Sequence, residues 1–179
     1  TVNKTTPVAG DVKYVDRNGD GVVDDNDRDI IGNPNPDFTY GFQTKVSWKS
    51  LSLSASFNGV QGRDILNVGN RYNNTPGTKS NNVTRKAFQN MWTDENPSNL
   101  YPKSTFVVQN MVMDRYVEDG SYLRCSDITL SYVLPAKWTN KIGIKNTSVY
   151  ASVKNAFVIT DYSGYDPEVN SFAFDGLRP

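Results

Sequence analysis

The sequence predicts an all-β chain of antiparallel strands, of the kind that builds a segment of a transmembrane β-barrel. Three observations carry this. Four runs alternate apolar and polar side chains with period two over about ten residues each. The connections between the runs alternate short and long, as in barrels with short periplasmic turns and long outer loops. No run approaches the ~18 apolar residues of a membrane helix, so a membrane reading rests on strands alone. A soluble sandwich fits the alternation too, its polar face meeting water and its apolar face a second sheet.

The first run is Thr39 to Trp48, with Tyr40, Phe42, Thr44, Val46 and Trp48 on one face and Gly41, Gln43, Lys45 and Ser47 on the other. The second restarts with Leu51, Leu53, Ala55 and Phe57 against Ser52, Ser54, Ser56 and Asn58. Folding the two about Lys49-Ser50 pairs Trp48 with Leu51, Val46 with Leu53, Thr44 with Ala55 and Phe42 with Phe57. Like meets like at each pair, so one register satisfies both strands. Lys49-Ser50 is not a favoured type I′ sequence, which leaves room for a wider turn.

A third run presents Ile128, Leu130, Tyr132 and Leu134 against Asp127, Thr129 and Ser131. A fourth presents Val149, Ala151, Val153 and Phe157 against Ser148, Ser152 and Lys154. Pro135 to Ile144 connects them, with a helical turn expected after Pro135. Trp48 and Trp138 flank the short connections, where an aromatic girdle places them.

Between the hairpin and the third run lies a long polar stretch, Gly62 to Gly120. Asn81 to Trp92 predicts a short helix with Val83, Phe88 and Trp92 partly sharing a face. The aromatic residues Tyr72, Trp92, Tyr101 and Phe106 would either stack on sugar rings or pack the loop's own core.

Composition narrows the chemistry. Lys plus Arg is 19 and Asp plus Glu is 19, a net charge of zero, which argues against nucleic-acid binding. The absence of histidine removes Ser-His-Asp and Cys-His catalysis and His-ligated zinc. The one cysteine, Cys125, cannot form an intrachain disulfide and reads as a small packing residue. Asp166 and Glu168 could form a glycosidase pair, but two carboxylates around Pro167 read as a turn, and no enzyme is expected. Thr1 is not an initiator methionine and no leader follows it, so the sequence reads either as a soluble β domain or as a piece of something larger.

The strongest local motif is the run from Asp16 to Asp27. Oxygen side chains fall at loop positions one, three, five, nine and twelve: Asp16, Asn18, Asp20, Asp24 and Asp27. Gly21 stands at the sixth position, where a calcium loop turns sharply, and Val22 offers its carbonyl at the seventh. Hard oxygen ligands on one short loop suit Ca²⁺. The short side chain of Asp27, in place of a glutamate, predicts weak affinity, on the order of 10⁻⁴–10⁻³ M. An acidic Asn-Gly, Asp-Gly turn is the plainer alternative.

Gly10-Asp11-Val12-Lys13-Tyr14, the Asp16 to Asp27 loop, and the run from Arg28 through Asn33-Pro34-Asn35-Pro36 to Phe42 resemble the C-terminal barrel region of the SusC/RagA family. These are TonB-linked outer-membrane transporters of Gram-negative bacteria. Val117 to Arg124, Ile128 to Pro135, Val149 to Phe157 and Asp161 to Glu168 follow in family order. The resemblance implies about four strands of a 22-stranded barrel in the bacterial outer membrane. It implies import of oligosaccharides or peptides, driven by the TonB complex through parts absent here and lidded by a SusD-like lipoprotein.

The chain would then divide into an extracellular region 1–38 holding the calcium-type loop 16–27, and a hairpin 39–60. A long extracellular loop 61–120, two strands in 121–158 and a final extracellular loop 159–179 would complete it. A soluble calcium-stabilised β module that binds carbohydrate is the alternative.

Overall fold

The computed structural model describes residues 8–74, 82–104, 112–140, 143–144 and 147–168. Phe106, Asn81 and the ends of the predicted outer segments lie outside the described residues. The chain divides into two compact units. One comprises Pro34–Asp64 and Asp119–Tyr162, the other Thr1–Asn33, Ile65–Glu118 and Ser163–Pro179.

The first of these is a four-stranded antiparallel sheet. Strands β1 (Phe38–Trp48) and β2 (Leu51–Gln61) form the hairpin. The pairs Trp48–Leu51, Val46–Leu53, Thr44–Ala55 and Phe42–Phe57 all stand in the expected register. The turn is the tight two-residue form. Lys49, the first residue of the turn, takes a φ of 53°, a left-handed conformation uncommon for a residue other than glycine.

The element order includes two later long strands, β5 (Tyr122–Val133) and β6 (Ser148–Thr160). Together the four lie in the order β1-β2-β5-β6. β5 starts well before the run read from the sequence, and Leu134 lies past its end, its N–H bonded to Thr147 O at 2.9 Å. The reason is a bulge. Phe57 faces Cys125 while Ser56 faces Asp127, so Ser126 is an extra residue. Leu123 and Cys125 therefore share a face with Ile128, Leu130 and Tyr132, and the parity of the count reverses across Ser126. β6 answers with its own shift between Lys154 and Phe157, where Asn155 takes a φ of 48°. The connection from β5 to β6 holds the expected helical turn, α3 (Ala136–Thr139), after Pro135.

The second unit gives the long loop its own structure. β3 (Asp64–Leu66) pairs with β4 (Val117–Asp119). Helix α1 (Val68–Asn74) follows β3. Helix α2 (Arg85–Asn90) starts at Thr84, whose hydroxyl accepts from Ala87 N at 3.1 Å as an N-cap. The helix is shorter than Asn81 to Trp92, and its inward residue is Ala87, fully buried, while Phe88 is 62% exposed and Trp92 lies beyond its end. The expected Val83–Phe88–Trp92 face is thus corrected. Capping and the small inward alanine set the helix's rotation, and the larger apolar residues do not. Ile65, Tyr116 and Pro167 are buried within the same unit.

Candidate functional site

The sheet has two chemically distinct faces. On the apolar face three rings cross the strands: Phe42 stacks on Phe57 with centroids 4.6 Å apart, and Phe57 meets Phe157 at 6.4 Å. Phe57 and Phe157 stand on either side of Cys125, which is fully buried beneath them. Only a small residue lets rings two strands apart approach so closely. Yet the face itself is uncovered: Phe42 is 51% exposed, Val46 63% and Val153 56%. In water such a patch would invite aggregation; in a bilayer it is the lipid surface.

Strand length agrees. Ten rises from Phe38 to Trp48 span roughly 34 Å, and a tilt of about 40° reduces that to about 26 Å, close to the ~25 Å apolar band of outer-membrane barrels. Aromatic side chains mark both ends of β1. Phe38 and Tyr40 stand at one, and Trp48, with Lys49 Nζ 4.7 Å from its ring centroid, at the other. Trp138 is 64% exposed on α3, in the connection that joins the strands at the same end as Trp48.

The polar face is a hydrogen-bonded lattice. Asp127 accepts from Lys154 Nζ at 2.7 Å, Thr129 Oγ1 at 2.9 Å and Ser152 Oγ at 3.1 Å. Thr129 and Ser152 join at 3.0 Å, and Ser47 and Ser52 at 2.9 Å. Lys45 stands in the row of Ser54, Thr129 and Ser152. Period-two counting placed these residues on one face, but it did not reveal that Asp127 is the node that joins them.

In the other unit, the Asp16 to Asp27 loop is closed by its own backbone. Asp16 accepts from the N–H groups of Gly19 and Gly21 at 2.7 and 2.8 Å. Asp20 accepts from Val22 N and from Asn18 Nδ2. Asp24 and Asp27 form a capping box on a 3₁₀ turn, Asp25–Asp27. Asp27 also accepts from Arg17 N at 2.8 Å. The N–H of Asp24, then that of Arg17, hold the Asp27 carboxyl below the usual carboxylate range. Gly19 and Gly21 have φ of 75° and 81°, so the turn requires them. Val23 is half-buried and Val22 exposed. Among the described residues, no three His, Cys, Asp or Glu side chains converge closely enough to hold a metal.

Glu118 is a node that the sequence did not single out. It accepts from Asn67 Nδ2 at 2.9 Å, Asn70 Nδ2 at 3.0 Å, and Ser163 N and Oγ at 2.8 and 2.9 Å. Its donors lie far apart in the chain, so no local pattern marks it. Trp92 packs against Gly10, where a Cβ would meet its ring, and Trp92 N donates to Tyr101 O at 3.1 Å. That ring serves the loop's core. Tyr72 is 39% exposed. Asp166 accepts from Glu168 N at 2.8 Å, as a turn would.

Alternating strands of bilayer length, an uncovered apolar face and a hydroxyl-rich polar face define a segment of an outer-membrane β-barrel. Comparison with known proteins agrees. The TonB-dependent receptor P26 of Formosa agariphila is 34% identical over 95% of this chain, which covers 17% of that receptor. The TonB-dependent receptor SusC of Bacteroides thetaiotaomicron is 34% identical over 88% of the chain and 15% of its own length. The RagAB peptide importer in its closed-closed state superposes with a TM-score of 0.66 at 31% identity, over 79% of this chain and 16% of that one. No family model matches. The chain is a SusC/RagA-like segment of an outer-membrane β-barrel and spans about one sixth of the length of the TonB-dependent receptors and the importer it matches.

Proposed function

We propose that the chain is part of a nutrient importer. In this reading a TonB-driven outer-membrane barrel takes up oligosaccharides or peptides, and a SusD-like surface lipoprotein closes its outer mouth. One observation carries this reading: the four-stranded sheet with its uncovered apolar face falls within a region that matches such receptors over most of the chain. The same face counts against a soluble calcium-stabilised carbohydrate module, which would need a second sheet over it. Peptide cargo has support from the similarity to the RagAB peptide importer, and oligosaccharide cargo is what the SusC/RagA resemblance implies. Deleting the gene for the whole receptor should abolish uptake of one labelled oligosaccharide or peptide class. A tagged receptor should co-purify with a surface lipoprotein. Unchanged uptake of every class tested would reject the reading.

A second reading concerns the acidic loop. We infer that Asp16, Asn18, Asp20, Asp24, Asp27 and the carbonyl of Val22 bind Ca²⁺. The support is the ligand spacing, with Gly19 and Gly21 turning the loop at positive φ. Each carboxylate has about four acceptor positions, so those now bonded to N–H groups keep capacity for a cation. Calorimetry on the whole receptor should show a Ca²⁺ site that disappears in the double variant Asp20→Ala, Asp24→Ala. Equal heats in both proteins would reject it.

A further inference from the structure

We propose that the polar face of the sheet carries a subsite for an acidic oligosaccharide, an inference that rests on the import reading. Lys45, Ser54, Thr129 and Ser152 stand in one row across β1, β2, β5 and β6, and Asp127 and Lys154 stand in the next. Strands about 4.8 Å apart put the outer two about 14 Å from each other. A row of hydroxyls is therefore flanked by an ammonium group at each end. That span suits a short run of sugar units.

The charges do not cancel. Asp127 is already engaged by Lys154, Thr129 and Ser152. These contacts hold the Lys154 head in place, yet its side chain is 77% exposed and an ammonium group has further donors to offer. Lys45 has no anionic partner among the described residues. One preset cation and one uncompensated cation complement a chain bearing carboxylate or sulfate groups.

A saccharide fits better than an acidic peptide because the protons of the Thr129 and Ser152 hydroxyls are given to Asp127, which leaves a row of acceptors for the many O–H donors of a sugar chain. Tyr150, 75% exposed and two positions before Ser152 on the same face of β6, adds a flat ring with a polar tip.

The test uses the purified whole receptor, titrated with oligogalacturonate, a maltooligosaccharide of equal length and oligoglutamate. Oligogalacturonate should bind most tightly, and its affinity should fall with added salt. Lys45→Gln and Lys154→Gln should each weaken it about two- to fivefold, the range for a hydrated ion pair. Maltooligosaccharide binding should not change, and Lys45→Arg and Lys154→Arg should retain acidic binding. Equal affinity for the acidic and neutral sugars, tighter binding of oligoglutamate, binding of none of the probes, or an unaffected double glutamine variant would overturn the subsite. The import reading would stand through all of these, because the gene deletion tests it separately.

Discussion

Gly59 lies directly beneath the ring of Tyr40, whose hydroxyl reaches Tyr122 O at 3.4 Å. A Cβ at position 59 would run into that ring and stand 2.7 Å from the carbonyl oxygen of Tyr122. Gly59→Ala should therefore cost about 1–3 kcal/mol through overpacking. Gly41→Ala makes a fair control, since its Cβ would meet only Phe57 O at 3.4 Å. Denaturant unfolding of the whole barrel in lipid should separate the two variants, and equal stability would remove the packing argument. Glu118 makes a different kind of prediction. Burial tends to raise its carboxyl, but the N–H of Ser163, then Asn70, the Ser163 hydroxyl and Asn67 outweigh this and leave it below its ordinary value. Its contribution is thus fully present above the unfolded carboxylate pKa and is lost as pH falls through the lowered folded value. Exchange at the Ser163 amide, taken relative to its intrinsic rate at each pH, should be slow at neutral pH and quicken on acidification. Glu118→Gln, which cannot accept from all these donors, should quicken it at every pH. If exchange at Ser163 is indifferent to both, Glu118 does not hold that segment.

Among the elements, β1 and β2 were legible from Thr39 to Asn58 because their alternation is unbroken there and register follows from pairing like with like, while β2 runs on to Gln61 past Gly59-Val60, where the alternation stops. β5 was legible only past Ser126. The bulge reverses parity there, and a count of period two cannot see an extra residue on one strand. Lys154 shows a different limit on β6. Its place on the polar face could be read, but its partner Asp127 is set by the β5–β6 register, which alternation within one strand does not fix. The acidic loop was legible as a spacing, whereas its backbone closure depends on turn geometry that residue types alone do not specify. The facing of β2 can be tested directly. Ala55 lies mid-strand between Thr44 and Ile128 on the apolar face, and Ser56 lies beside it on the polar face, opposite Asp127. Ala55→Arg should cost about 2–4 kcal/mol near the bilayer midplane. Ser56→Arg gains a carboxylate neighbour and should cost much less. Refolding each whole-receptor variant into lipid measures the difference, and a reversed order would mean that the faces are assigned the wrong way round.

At the scale of the molecule, the sheet's two edges matter most. β1 and β6 are the outer strands in the order β1-β2-β5-β6, so each has one edge unpaired within the sheet. In hydrocarbon every backbone polar group needs an internal partner, and a sheet meets that demand only by closing on itself. The smallest membrane barrels have about eight strands, so four cannot close. The faces point the same way: an uncovered apolar side needs lipid, while a hydroxyl-rich side needs water or a polar chain. Neither solvent suits both sides of an open sheet. The 179-residue chain expressed alone should therefore fail to give the heat-modifiable gel band of a folded barrel, in detergent or in lipid. In the whole receptor, the backbone amides of β1 and β6 should exchange as slowly as those of β2 and β5, because strands from the rest of the barrel pair with both edges. Exchange measured on the two proteins under the same lipid conditions decides the matter. A monodisperse, lipid-inserted isolated chain with protected edge amides would mean that the sheet satisfies its own edges and that the barrel reading fails.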